Sequence, residues 1–240
     1  MSITDYILHL NEKMVVPSRK EMMHKFHEYL VTLTGENAVL ALKRGHQVLA
    51  LEEKEPDNVF YKEKGKWYKG KANKGIRTGS LGRVYAVSNV KEHQEQKELL
   101  DSAKKCHLTL CTIYINNLAN SLLQEVIRYV KQRHTFDKPL SSYQLVIDQI
   151  VLMQTEVSSN NCFLMGVILA ATGQEQRIDE KLFFLEVQFL IKELYEKADK
   201  LLPVMGAYGV TDESSCCQLY HELTSFSNLL LEAEETCLLH

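Results

Sequence analysis

The chain turns a corner within Arg133-His134-Thr135-Phe136-Asp137-Lys138-Pro139-Leu140-Ser141-Ser142-Tyr143-Gln144. Apolar residues at helical spacing precede and follow this stretch, which predicts a long helix on each side. The turn is expected at Asp137-Lys138-Pro139, because proline cannot continue a helix. Ser141 followed by Gln144 is typical of a capping box, so the second helix is predicted to begin there. The stretch is therefore interpreted as a corner between two long helices.

Helical periodicity extends over residues 92–240, which we predict to be one domain. The first two helices are expected at 92–133 and 142–171, and the second ends before Gly173. A third is expected at 179–202, ahead of Pro203, and a fourth from about Thr211 or Asp212. Four long helices with short connections favour an antiparallel four-helix bundle.

The chain before the bundle has a different pattern. Residues 1–45 are predicted to be a short N-terminal segment with two short helices, interrupted at Pro17 and closed by Gly35. Residues 46–91 contain short aromatic and β-branched runs between recurring glycines, which indicates a small β domain. The predicted fold is therefore mainly α, with short N-terminal helices, a small, truncated β domain and a four-helix bundle.

Composition limits the partners. The 240 residues are 45% hydrophobic and 25% charged, with a formal net charge of −3. Because nucleic-acid binding requires a basic surface, no nucleic-acid partner is expected. Lysines and aromatics alternate between Lys62 and Arg83, either as a phosphate-binding patch or as the solvated face of a sheet, and we favour the solvated face. No apolar run approaches the length of a membrane span, and the N-terminus has no signal-peptide core, so a cytoplasmic location without membrane contact is expected.

Cysteine and histidine spacing predicts no metal site. The six cysteines include no CxxC pair and no Cys/His ligand spacing, so they are expected to be reduced thiols. His24 and His27 lie three residues apart without a partner at ligand spacing. Both are expected at the surface.

The corner resembles one in the acyl-CoA dehydrogenase family, whose bundle carries an arginine, then Phe-Gly-Lys-Pro, then a helix opening on an aromatic-Gln pair. A second similar stretch is Met205-Gly206-Ala207-Tyr208-Gly209-Val210-Thr211, followed by Leu219-Tyr220. It resembles the family's Gly-Gly-Tyr-Gly turn and the Leu-Tyr on its last helix. Upstream, residues 65–71 and 76–78 are similar to part of the family's middle β domain. The resemblance implies the family's bundle with a shortened barrel and a reduced N-terminal domain.

The resemblance also implies a site for FAD. Arg133 would reach the pyrophosphate of a flavin held by a neighbouring subunit, with Phe136 beside it. Gly206 and Gly209 would let the backbone approach the cofactor, and Thr78 would contact the flavin ring. Each has a plain alternative, since Arg133 is also suited to a helix end and the glycines to a helix-ending turn.

Three positions depart from the family's pattern. Asp137 replaces a glycine, Ala207 replaces the second glycine of the later turn, and Pro203 stands where a glutamine is usual. The catalytic base, a glutamate in Tyr-Glu-Gly-Thr near the end of the chain, is not matched in register. Glu232 is the nearest candidate, with a solvated acid as its alternative. Some members carry the base on the first bundle helix, where the sequence offers no clear substitute.

These observations leave the protein's status as an enzyme open. As a flavoenzyme it would oxidise an acyl thioester, carried by CoA or by a carrier protein, with formation of an α,β double bond. The alternative is a catalytically inactive oligomerisation or interaction module, or a partner subunit of a full-length relative. Apolar residues on several faces of the helix over 181–195 favour a homo-oligomer, a dimer or tetramer, under either hypothesis.

Overall fold

The computed structural model describes residues 3–13, 17, 19–44, 47–50, 56–73, 76–78, 82–171, 180–211 and 214–238. By internal contacts the chain divides into two compact units. The sheet unit comprises Met1–Ile3, Pro17–Leu110 and Leu229–His240, and the helical unit comprises Thr4–Val16 and Cys111–Asn228. None of the described helices has the length and apolarity needed to cross a membrane.

The two predicted N-terminal helices are present, as α1 (Ile3–Lys13) and α2 (Arg19–Thr34). α2 ends at Gly35, whose φ of 71° suits glycine, and the Gly35 amide donates to the Val31 carbonyl. His24 lies on the exposed side of α2 beside Glu28. His27 is only 6% exposed, so the surface position predicted for it is wrong. It shares the buried face of α2 with Met23 and Phe26, which helical spacing explains.

Eight of the described strands form two four-stranded sheets in the sheet unit. Their bounds are β1 (Ala38–Leu40), β2 (Leu42–Arg44), β3 (Gln47–Ala50), β4 (Asn58–Glu63), β5 (Lys66–Ala72), β6 (Ile76–Thr78), β7 (Gly82–Tyr85) and β8 (Val87–Glu92). One sheet has the order β1-β4-β5-β8 and the other β2-β3-β7-β6. Only β1 pairs with its neighbour in parallel among the described strands. The strands begin at Ala38, ahead of the start at residue 46 expected for the β domain.

Lysines of the first sheet pair with carboxylates. The ammonium of Lys62 lies 2.8 Å from Asp101 Oδ1, and that of Lys66 lies 3.0 Å from Glu92 Oε2. Lys69 pairs with Glu36. These ion pairs balance the lysine charges with carboxylates, which disfavours a phosphate-binding patch.

Four long helices follow the sheets, with bounds α3 (Lys97–Gln132), α4 (Gln144–Ala171), α5 (Glu180–Leu201) and α6 (Ser215–Leu238). The four predicted helices are confirmed, with ends shifted by a few residues. α3 begins at Lys97 because β8 extends to Glu92. The predicted capping box is wrong: Leu140–Ser142 forms a 3-10 turn, and the Gln144 side chain donates to Asp148 Oδ1.

Asparagines connect α1, α3 and α4 inside the helical unit. Asn11 Nδ2 donates to the Asn161 carbonyl, and Asn117 Nδ2 donates to the Leu10 carbonyl, both at 3.3 Å. Asn116 Nδ2 donates to the Val157 carbonyl at the same distance. We call these side chains, with Asn160, the asparagine layer. Because main-chain carbonyls accept from side chains of another helix, the layer fixes the axial position of each helix.

None of the five described cysteines forms a disulfide. Cys237 lies outside the described residues. Within the described ranges, no group of three or more His, Cys, Asp or Glu side chains could hold a metal ion.

Candidate functional site: two corners of the helical unit

The first corner is a two-residue β-hairpin between α3 and α4. Its strands are β9 (His134–Thr135) and β10 (Lys138–Pro139), paired antiparallel. The loop residues Phe136 and Asp137 both have positive φ, 51° and 61°. Two positive φ values identify a type I′ turn, in which glycine or asparagine is usual. Phe136 in this conformation is strained, whereas an aspartate tolerates it.

Hydrogen bonds fix this corner to the helices. The Arg133 amide donates to the Tyr129 carbonyl at 2.9 Å, and the Leu140 amide donates to the Arg133 carbonyl at 2.8 Å. The Tyr143 hydroxyl donates to the Thr135 carbonyl at 2.7 Å. The backbone is thus held while two side chains face outward: Arg133 is exposed, and Phe136 is 89% exposed.

The second corner is the 3-10 segment Leu202–Val210, between α5 and α6. Gly206 interrupts it with φ 57° and ψ −144°, a conformation that disfavours any side chain. A Cβ at Gly209 would lie 2.9 Å from the Met205 Cβ and 3.1 Å from the Leu202 carbonyl oxygen. Both glycines therefore have a structural reason that does not involve a ligand.

An aromatic pair joins the corners. Tyr129, one turn before Arg133, stacks on Tyr208, which lies between Gly206 and Gly209, with ring centroids 5.5 Å apart. Tyr208 remains 48% exposed. The stack places the end of α3, which carries Arg133, beside the turn that carries Gly206 and Gly209, and Phe136 follows Arg133 in the hairpin.

The surface of the first corner is predominantly cationic. Residues 131–138 carry Lys131, Arg133 and Lys138 against the single carboxylate of Asp137, and all four are exposed. An exposed arginine among lysines suits a phosphate, which guanidinium binds through two parallel hydrogen bonds. Asp137 opposes this locally by repelling an anion.

The other two expected residues belong to the sheet unit. Thr78 ends β6, and Glu232 lies within the helical backbone of α6. The side chains of both lie outside the described residues. Their roles stay predictions.

Lys104 and His107 form a buried ionisable pair that was not predicted from the sequence. His107 of α3 is fully buried and stacks on Phe26, with ring centroids 4.6 Å apart. Lys104, one turn earlier, is 5% exposed. Burial, with added repulsion from Lys104, lowers the pKa of the His107 imidazole to about 4. The signal was available, because Lys104 and His107 sit at helical spacing on the apolar stripe of α3.

Comparison with known proteins agrees with this architecture. Residues 109–227 match the C-terminal domain of acyl-CoA dehydrogenases. The chain therefore carries a C-terminal domain of the acyl-CoA dehydrogenase type over these residues. Over 110 residues it is 27% identical to glutaryl-CoA dehydrogenase of Desulfococcus multivorans, in an alignment covering 45% of the chain and 28% of that relative.

Solved structures of acyl-CoA dehydrogenases share the fold. The acyl-CoA dehydrogenase from Slackia heliotrinireducens aligns with 99% of the chain and 79% of its own length, with a TM-score of 0.65 and 10% identity. Glutaryl-CoA dehydrogenase from Mycobacterium smegmatis, in a complex with FADH2, aligns with 84% of the chain and 59% of its own length. Its TM-score is 0.54 and its identity 17%. These likenesses confirm the mainly α fold expected from the corner. The chain spans less than two thirds of the length of the Mycobacterium and Desulfococcus proteins.

Proposed function

We propose that this acyl-CoA dehydrogenase-like protein is a flavoprotein subunit that takes part in α,β-dehydrogenation of an acyl thioester, carried by CoA or by a carrier protein. The observation that carries the proposal is the Tyr129–Tyr208 stack. It sets an exposed arginine and an exposed aromatic beside a glycine turn, on a cationic surface suited to a dinucleotide. The proposal extends to the cytoplasm as the location, since none of the described cysteines forms a disulfide.

The residues of the first corner fit the phosphate portion of FAD. Arg133 would bind the pyrophosphate oxygens, and Lys138 would add positive charge. Phe136 offers an uncovered ring face for apolar contact. Gly206 and Gly209 give the FAD site weaker support. The backbone angles of Gly206 and the packing around Gly209 require glycine even without a ligand.

The bound flavin would accept the hydride that leaves the β-carbon of the substrate. The protein must supply a base for the α-proton and hold the thioester in place. Glu232 is the base that the sequence suggests. Thr78 is the residue that would contact the flavin ring.

A second copy of the chain completes the site in this proposal. Arg133 and Phe136 face outward, which suits a flavin held by a neighbouring subunit. α5 also exposes an apolar stripe: Leu182 is 51%, Leu185 44% and Phe189 58% exposed. Residues three and four apart on a helix share a face, so the three form one surface. An exposed apolar surface of this kind favours a homo-oligomer.

Titration with FAD tests the proposal. We expect the purified protein to show flavin absorbance or to bind added FAD, and Arg133→Gln to weaken binding about tenfold or more. Lys131→Gln is the matched control, since it removes a neighbouring exposed cation and leaves the pyrophosphate contact. A colourless protein that does not bind added FAD would contradict the flavoprotein assignment for the chain alone. Equal weakening by both variants would show only a general charge effect.

The exposed stripe of α5 also favours a second candidate function, a non-catalytic oligomerisation module or a subunit that joins a full-length relative. Native mass spectrometry of the affinity-purified complex distinguishes the forms. A colourless homo-oligomer supports the module, whereas a larger chain in stoichiometric amount supports the shared complex. A flavin-loaded homo-oligomer contradicts both.

A further inference from the structure

The hairpin of the first corner needs support from the structure around it. Phe136 and Asp137 both have positive φ, a conformation that a bulky side chain such as that of Phe136 disfavours. Each strand of the hairpin is two residues long, and Pro139 has no amide hydrogen to donate to its partner strand. Two-stranded hairpins are at best marginally stable in water. Contacts outside the two strands must therefore keep the loop after Arg133 closed.

Tyr143 supplies such a contact from the start of α4. Its hydroxyl donates to the Thr135 carbonyl at 2.7 Å, and Thr135 is the residue directly before the two with positive φ. The main chain of Tyr143 is itself fixed, because its carbonyl accepts from the amides of Val146 and Ile147, both at 3.0 Å. The hydroxyl therefore ties the hairpin to a fixed point on the helix.

The closed hairpin determines where the backbone of Arg133 lies. Its amide donates to the Tyr129 carbonyl within the last turn of α3, at 2.9 Å, and its carbonyl accepts from the Leu140 amide at 2.8 Å. The first bond belongs to the helix, whereas the second exists only while the hairpin is closed. The Ser142 hydroxyl donates to the Pro139 carbonyl at 2.7 Å, but this bond does not reach the other strand. Opening of the hairpin would therefore free the chain that follows Arg133.

We propose that Tyr143 is a positioning residue, whose hydroxyl keeps the strained hairpin closed and so holds Arg133 in place for the phosphate oxygens of a ligand. The identity of the ligand, the pyrophosphate of FAD, rests on the proposed function. A guanidinium binds phosphate through two parallel hydrogen bonds and therefore needs a defined direction. An arginine on an open hairpin has to be ordered when the ligand binds, and this ordering weakens the affinity. Tyr143 acts through Arg133 and does not touch the ligand.

Limited proteolysis of the full chain tests the hairpin without any ligand. Trypsin cleaves after arginine, so the rate of cleavage between Arg133 and His134, followed by mass spectrometry, reports how often the hairpin opens. Tyr143→Phe removes only the hydroxyl, and we expect it to speed this cleavage about fivefold, the effect of one hydrogen bond on the open fraction. Tyr220→Phe is the matched control, because the Tyr220 hydroxyl donates to Asp199 of α5 at 2.8 Å. It should be cleaved at the wild-type rate.

A second variant tests the role of strain in the loop. Asparagine adopts positive φ more readily than phenylalanine and is usual in type I′ turns. A hairpin with Phe136→Asn should therefore depend less on the hydroxyl. Adding Phe136→Asn to Tyr143→Phe should bring cleavage after Arg133 back to about the wild-type rate. A general loss of stability in Tyr143→Phe would not be repaired by a change confined to the loop.

FAD titration shows whether the hydroxyl acts through Arg133. Tyr143→Phe should weaken FAD binding about fivefold when Arg133 is present. In the Arg133→Gln variant the same change should leave FAD affinity unaltered, because the side chain that the hydroxyl positions is gone. If the wild-type chain binds no FAD, inorganic pyrophosphate replaces it as the probe, and its protection of the Arg133–His134 bond from trypsin is compared in the same four proteins.

Three results would overturn the assignment. They are an unchanged cleavage rate in Tyr143→Phe, an equal rise in Tyr220→Phe, and equal weakening of ligand binding by Tyr143→Phe with and without Arg133. A wild-type chain that binds neither FAD nor pyrophosphate would also overturn it, because Arg133 would then have no phosphate to meet. Binding of pyrophosphate without FAD would contradict the proposed function and leave the role of Tyr143 supported.

Discussion

The rings of Tyr129 and Tyr208 stack with centroids 5.5 Å apart and planes 2° apart. Because this pair joins the two corners, we expect Tyr208→Leu to lower the free energy of unfolding by about 1 kcal/mol. If the corners bind FAD together, the same variant should also weaken FAD binding. Urea denaturation and FAD titration measure the two effects.

Tyr208→Phe is the control for this pair, since it keeps the ring and removes only the hydroxyl. It should match wild type in both measurements. Equal losses in Tyr208→Leu and Tyr208→Phe would show that the hydroxyl, not the stack, holds the corners.

The apolar stripe of α5 predicts an oligomer that depends on Phe189. This ring is 58% exposed, and Leu185 lies one turn before it on the same face. Aromatic residues at the centre of an interface contribute about 2 kcal/mol or more, so Phe189→Ser should dissociate the oligomer at micromolar concentration. Sedimentation velocity checks this, with Lys200→Ser, exposed at the end of α5, as the control. A monomeric wild-type chain would contradict the prediction.

The fold followed from the sequence wherever one local signal dominated. Gly35 ends α2 because glycine permits the positive φ found there, and Pro203 follows α5 because proline cannot continue a helix. The capping box failed for a physical reason: the type I′ hairpin and the 3-10 turn shift the start of α4 past Ser141. β1 was missed because its strand is three residues long and pairs in parallel with the distant β4.

The candidate site was predictable only in part. Arg133 and Phe136 could be proposed because the corner motif is contiguous, and the Tyr129–Tyr208 stack places the end of α3 beside the glycine turn. His107 was missed because its environment depends on Phe26, eighty-one positions away in the sequence. Sequence spacing reports the face of a helix, but not which side chain of another helix covers it.

Asp101 links α3 to the first sheet of the sheet unit. Its Oδ1 accepts from Lys62 Nζ and from the indole nitrogen of Trp67, both at 2.8 Å. Asp101→Ala removes the acceptor from a buried indole and from an ammonium whose side chain is 13% exposed, so we expect a loss of about 3 kcal/mol. Trp67 is the single tryptophan, so its fluorescence reports the unfolding.

Asp101→Asn separates charge from hydrogen bonding. The amide oxygen still accepts from the indole, so this variant should lose clearly less stability than Asp101→Ala. Identical losses would mean that the charge of Asp101 carries the whole effect.

Asn160 of the asparagine layer is fully buried, and neither of its side-chain polar atoms has a partner among the described residues. Leucine has the same number and branching of side-chain heavy atoms and no polar group to leave unpaired. We therefore expect Asn160→Leu to raise the free energy of unfolding by about 1–2 kcal/mol. Asn116→Leu should destabilise the protein, because it removes the bond to the Val157 carbonyl. Destabilisation by Asn160→Leu would show instead that buried water satisfies this side chain.

His107 predicts how stability changes with pH. Its pKa falls from the ordinary 6.5 to about 4 in the folded protein, through burial and repulsion from Lys104. Between these values the unfolded chain binds more protons at His107 than the folded chain does. The contribution of His107 to the free energy of unfolding is therefore fully present above pH 6.5 and declines as the pH falls toward 4. The shift corresponds to about 3 kcal/mol lost at the acid end.

His107→Phe should remove this decline, because phenylalanine packs against Phe26 and binds no proton. Urea denaturation of wild type and His107→Phe at about pH 7 and about pH 4.5 isolates the contribution of His107, since the two proteins share every other ionisable group. His24→Gln, which alters an exposed histidine of α2, should follow wild type. Equal acid sensitivity of His107→Phe and wild type would show that the folded protein lets His107 become protonated freely.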